Sequence, residues 1–85
     1  MGTKEKLIRR LLTKPKDFTF DEAETLLNYL SYYREDRGRT SGSRVAFISD
    51  RFPGKIILHK PHPRKELMSY QVKQLTEFLR KEGLL

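Results

Sequence analysis

A chain of 85 residues allows one small domain with a lean core, because it buries a smaller share of its surface than a longer chain does. It has no cysteine, which excludes disulfides and thiolate metal sites, and no apolar run approaches the roughly 20 residues of a membrane span or forms a signal-peptide core, so a cytoplasmic protein is expected. The net charge of +7 points to a polyanionic partner, nucleic acid before others.

In chain order, Thr3 to Thr13 reads as a first helix. Leu7, Ile8, Leu11 and Leu12 recur at helical spacing, while Lys4, Lys6, Arg9 and Arg10 face mainly outward. Lys14-Pro15 stops it, since the residue before a proline is pushed out of the helical region. Thr19-Phe20-Asp21-Glu22 has the form of a capping box, with Phe18 and Ala23 at the staple positions. The helix it opens runs to about Tyr29–Ser31, with Ala23, Leu26, Leu27 and Leu30 on its apolar face and Phe20 joining them.

Tyr32 to Asp36 reads as a short first strand with Tyr33 pointing inward; a helical extension is the alternative. Gly38 to Gly42 is a turn-rich loop. Two further strands follow. Val45 and Phe47 alternate with Arg44 and Ala46, and Ile56 and Leu58 alternate with Lys55, Ile57 and His59. Pro53-Gly54 marks the reversal between them. The last helix has Ser69 as its expected N-cap, Val72, Leu75, Phe78 and Leu79 as its buried stripe, and Gly83 at the C-cap position. The order is α-α-β-β-β-α. The expected class is α+β, with a three-stranded antiparallel sheet packed by helices on one face.

The hairpin and its flanks carry most of the charge. Nine Lys and Arg against three Asp and Glu lie between Arg34 and Lys65, which places +6 of the net +7 there. If the sheet has one buried face, Val45, Phe47, Ile56 and Leu58 must share it, because a slip of one residue turns every side chain over. Pairing Phe47 with Ile56 and Val45 with Leu58 meets that condition, and it sets Arg44 opposite His59 on the other face. An imidazole can remove the proton of an RNA 2′-hydroxyl, and a guanidinium can hold the charge that builds on the attacked phosphate. The expected catalytic group is therefore His59 with Arg44 beside it, and His62 as a second proton carrier or phosphate contact. Arg37, Arg39, Ser43, Lys55, Lys60, Arg64 and Lys65 are the expected RNA-binding residues. Each histidine could equally be a surface or packing residue, and Phe52 at the hairpin tip could stack on a base or pack under the loop. No metal or cofactor is implied: two histidines, no cysteine and no nearby carboxylate pair make no metal site, and no phosphate-loop or dinucleotide fingerprint occurs.

From Phe18 to Leu85 the chain resembles the HicA toxins of type II toxin–antitoxin systems, with the first helix as an N-terminal extension (residues 1–17) of a single domain. Gly42-Ser43 opening the second strand, Lys60-Pro61-His62 closing the third, Lys65-Glu66-Leu67, the stretch Tyr70-Gln-Val-Lys-Gln-Leu and the ending Glu82-Gly83-Leu84 carry the resemblance. It implies a double-stranded-RNA-binding-domain-like fold, endoribonuclease activity on mRNA without a cofactor, and a HicB-like antitoxin partner that covers the active surface. The family commonly has Gly-Ser-His where this chain reads Gly42-Ser43-Arg44. The family histidine therefore has no counterpart at Arg44, and His59 is the expected replacement from the neighbouring strand.

Overall fold

The computed structural model describes residues 2–13, 15–35, 44–61 and 65–85. Three helices, α1 (Thr3–Leu12), α2 (Phe20–Tyr29) and α3 (Ser69–Lys81), accompany three strands, β1 (Tyr33–Arg34), β2 (Arg44–Ile48) and β3 (Ile56–His59). The strands form one antiparallel sheet in the order β1-β2-β3. This is the expected α+β layout.

In α1 the i, i+4 pair Leu7 and Leu11 enters the core, and Ile8 packs partly against it. Leu12, expected inward, is exposed: one residue on from Leu11 is about 100° further round the helix, beyond the buried stripe. Arg10 ties α1 to α2 through hydrogen bonds to Glu22 (3.1 Å) and Asp17 (3.4 Å), with its guanidinium over the Phe18 ring. Glu22 is also half of the capping box that starts α2. The Glu22 N–H donates to Thr19 Oγ1 at 3.1 Å, and the Thr19 N–H donates to Glu22 Oε1 at 3.0 Å. Phe20, Ala23, Leu26 and Leu27 form the buried face of α2.

Two helices end in the same way. The Tyr32 N–H reaches back to the Leu27 carbonyl (2.8 Å) and the Ser31 N–H to that of Asn28 (3.1 Å), with Ser31 at φ 73°. The Leu84 N–H reaches Leu79 (2.8 Å) and the Gly83 N–H reaches Arg80 (3.1 Å), with Gly83 at φ 75°. Both are left-handed helix stops that satisfy otherwise orphaned carbonyls. The second uses glycine, as the sequence suggested; the first uses a serine.

The stop at Ser31 decides the orientation of β1. It drives Tyr32 fully into the core, where its ring stacks on Phe52 (5.8 Å between centroids) and meets Phe78 edge-on (5.6 Å). Phe52 is therefore a packing residue. Arg34 is held on the helix side by a two-point contact with Glu24 (2.7 and 3.2 Å) and lies over the Phe20 ring. With both neighbours committed to the helix side, Tyr33 projects the other way and is exposed, contrary to the inward position expected for it. β1 itself is only two residues long, continued by a hydrogen bond from the Glu35 N–H to the Ala46 carbonyl (2.8 Å).

The register of β2 on β3 is the expected one: Arg44↔His59, Val45↔Leu58, Ala46↔Ile57 and Phe47↔Ile56. Phe47, Ile56 and Leu58 meet the helices. Beyond β3 the chain pairs with the α1–α2 connection. A bridge links Thr19 and Glu66, with hydrogen bonds from the Phe20 N–H to the Lys65 carbonyl (3.0 Å) and from the Leu67 N–H to the Phe18 carbonyl (2.8 Å). This pairing holds the chain extended up to α3, whose N-cap is Met68 rather than the expected Ser69; Ser69 is the first helical residue. Gln71, Val72, Leu75, Thr76 and Leu79 form the buried stripe of α3, with Phe78 half-buried at its margin.

Candidate nucleic-acid interface

One face of the sheet is covered by helices, and among the described residues no helix covers the other, the open face. The open face carries Arg44, Ala46 and Ile48 from β2, Ile57 and His59 from β3, and Tyr33 from β1, because residues opposite each other in a register share a face. Arg44, His59, Tyr33 and Ile48 are exposed, whereas Ala46, the smallest of the set, is only 4% exposed.

The Arg44–His59 pair is of the close kind. The Ala46 carbonyl accepts from Glu35 in β1, so the main-chain polar groups of Ala46, and two residues away those of Arg44, turn toward β1 and away from β3. On the other strand, the His59 N–H turns away from β2 and donates to Gln71 Oε1 in α3 at 2.8 Å. Arg44↔His59 and Ala46↔Ile57 are therefore non-hydrogen-bonded pairs, in which facing Cα atoms lie about 4.5 Å apart and side chains stand closest. The side chains of Arg44 and His59 thus leave the sheet next to each other on this face.

The remaining expected residues divide between two places. Lys55 is exposed directly before β3, and strand alternation puts it on the side of Ile57 and His59. Lys60 follows His59 and so turns to the opposite side, where its Nζ lies 5.9 Å from the centre of the Phe20 ring. The Arg34 guanidinium lies at the same distance from that ring, already engaged by Glu24. Lys65 is exposed, and its carbonyl receives the Phe20 N–H, so it too belongs near the start of α2. Lys60 and Lys65 therefore do not stand on the open face with Arg44, Lys55 and His59. Arg37, Arg39, Ser43, His62 and Arg64 lie outside the described residues.

Two participants escaped the sequence reading. Tyr33 joins the open face for the reason given above. Gln71 is a polar side chain only 2% exposed, and it fixes the β3 backbone at His59. Its signal was its place four residues before Leu75 and eight before Leu79, which sets it on the buried stripe of α3. Among the described residues, no three His, Asp or Glu side chains gather to hold a metal ion, and no helix is long and apolar enough to cross a membrane. No protein-family model, no curated protein and no solved structure matches the chain.

Proposed function

We propose that this protein is a HicA-like toxin that binds and cleaves mRNA on the open face of its sheet, under the control of a HicB-like antitoxin. The close pairing of Arg44 with His59 on that face carries the reading. Arg44 holds a phosphate through its planar fork. His59 takes the proton of the 2′-hydroxyl, and the freed oxygen attacks the adjacent phosphorus. The bond to the 5′-oxygen breaks, leaving a 2′,3′-cyclic phosphate and a 5′-hydroxyl whose proton comes from His62 or from water. The step is a transesterification that needs no oxidant and no cofactor. The resemblance of Phe18 to Leu85 to the HicA toxins supports the toxin assignment and the antitoxin partner.

A second reading is an RNA-binding module of the same fold without catalysis, and the arginine in place of the family histidine favours it. Purified protein incubated with RNA in EDTA separates the two. The toxin reading expects cleavage that falls by roughly 10²- to 10⁴-fold in His59→Ala with binding retained. It expects weaker binding in Arg44→Ala, with a salt dependence shallower by about one unit in the log–log slope. Binding without cleavage assigns the protein to the second class. Undiminished cleavage in His59→Ala removes His59 from the mechanism.

A further inference from the structure

We infer that the open face takes single-stranded RNA in preference to duplex, with one base stacked on Tyr33 while a phosphate further along the strand sits at Arg44. The inference rests on the reading of that face as an RNA surface and adds the form of RNA it accepts. Tyr33 stands opposite Ile48 at one end of the open face, 56% exposed, with Ile48 at 37%. An aromatic ring beside an aliphatic side chain, on a sheet surface that no helix of the described residues covers, is a stacking platform. Arg44 lies four residues along β2 from Ile48, which is about 14 Å at the rise of an extended strand. Between them in the register lie the buried Ala46 and the half-buried Ile57.

The platform is fixed. Tyr32 is locked in the core by Phe52 and Phe78, and Arg34 is clamped to Glu24, so the backbone that presents Tyr33 is held on both sides. A ring carried on a held backbone gives up less conformational freedom on stacking than one on a mobile loop. Charge indicates nucleic acid as the occupant, since the exposed cations Arg44 and Lys55 border the apolar strip. Duplex RNA keeps its bases paired and stacked inside, so it can offer phosphate to Arg44 but no base to Tyr33. A single strand offers both.

The test measures binding of a short single-stranded RNA, of the same RNA annealed to its complement, and of an abasic strand of equal length. The proteins are the wild type, Tyr33→Ala, Tyr33→Phe and Arg44→Ala, with folding checked by thermal unfolding. The inference expects the wild type to prefer the single strand, and Tyr33→Ala to bind it roughly 5- to 150-fold more weakly with an unchanged salt slope. Tyr33→Phe should bind like the wild type, and the abasic strand should not distinguish Tyr33→Ala from it. Wild-type affinity in Tyr33→Ala alongside weakened binding in Arg44→Ala overturns the stacking inference and leaves the RNA reading standing, as does a preference for duplex. No RNA binding by the wild type at low salt overturns both. A Tyr33→Ala variant altered only in self-association reassigns the platform to a protein contact.

Discussion

Tyr32 and Tyr33 are neighbours in the chain and lie on opposite sides of the sheet, the first with no exposed surface and the second 56% exposed. The buried ring brings its hydroxyl beside Glu82 without a well-formed hydrogen bond. Burial first, and then the Glu82 carboxylate, raise the Tyr32 phenol above its ordinary value of 10.0. The folded protein thus holds this proton more tightly than the unfolded chain does. The stability tied to it is fully present below about pH 10 and is lost as pH rises through the higher folded value. Urea unfolding of wild type and Tyr32→Phe across alkaline pH checks this. The difference between them should be constant below about pH 10, and the wild type should fall relative to the variant above it.

Ser31 occupies a left-handed conformation at φ 73°, which costs a residue with a Cβ about 1 kcal/mol relative to glycine. Ser31→Gly should therefore raise stability by about 1 kcal/mol, offset in part by the greater freedom of glycine in the unfolded chain. In a domain of this size the full ~1 kcal/mol would be about 4–8 °C in Tm, so the net rise should be below that range, readable by thermal unfolding. Gly83→Ala, at the equivalent stop of α3, should shift Tm the other way.

The first helix is part of the core rather than an appendage. Leu11 has no exposed surface, and α1 packs against both α2 and α3. Leu11→Ala should cost about 2–5 kcal/mol, with unfolding still in a single transition. A loss below about 1 kcal/mol in denaturant melts would show that the helix does not share the cooperative unit.

Gln71 Oε1 is the acceptor for the His59 N–H. Gln71→Leu keeps much of the volume of the side chain and removes the acceptor, which should cost about 1–3 kcal/mol. Amide hydrogen exchange gives the site-specific reading: protection at the His59 N–H should drop by more than at Leu58, whose N–H faces β2.

Much of this fold is legible in the amino-acid pattern alone. Period-two alternation set the parity of the β2–β3 register, and the pairing that puts all four of Val45, Phe47, Ile56 and Leu58 directly opposite one another is the one observed. The capping box at Thr19 and Glu22 acts through residues three apart, so it too was visible. Effects that cross between elements were not. Tyr33 was misplaced because its direction depends on a left-handed serine before it and on the hold of Glu24 on Arg34. Nothing in a serine codon position signals that conformation as a glycine would. Met68 displaced Ser69 as the N-cap of α3 because the pairing of residues 65–67 with 18–20 determines where the chain is released into the helix. Lys60 turns to the helix-covered side by strand parity, being one residue beyond His59.

The contact between Gln71 and His59 also bears on solubility. β3 is an outer strand, and an outer strand offers unused main-chain donors and acceptors to any passing extended chain. At His59 the outward donor is already taken by a side chain from the same molecule. A second copy approaching along β3 therefore meets a spent N–H at that point, and edge-to-edge growth of the sheet is discouraged. One buried amide thus removes, at His59, one of the donors that this strand turns outward.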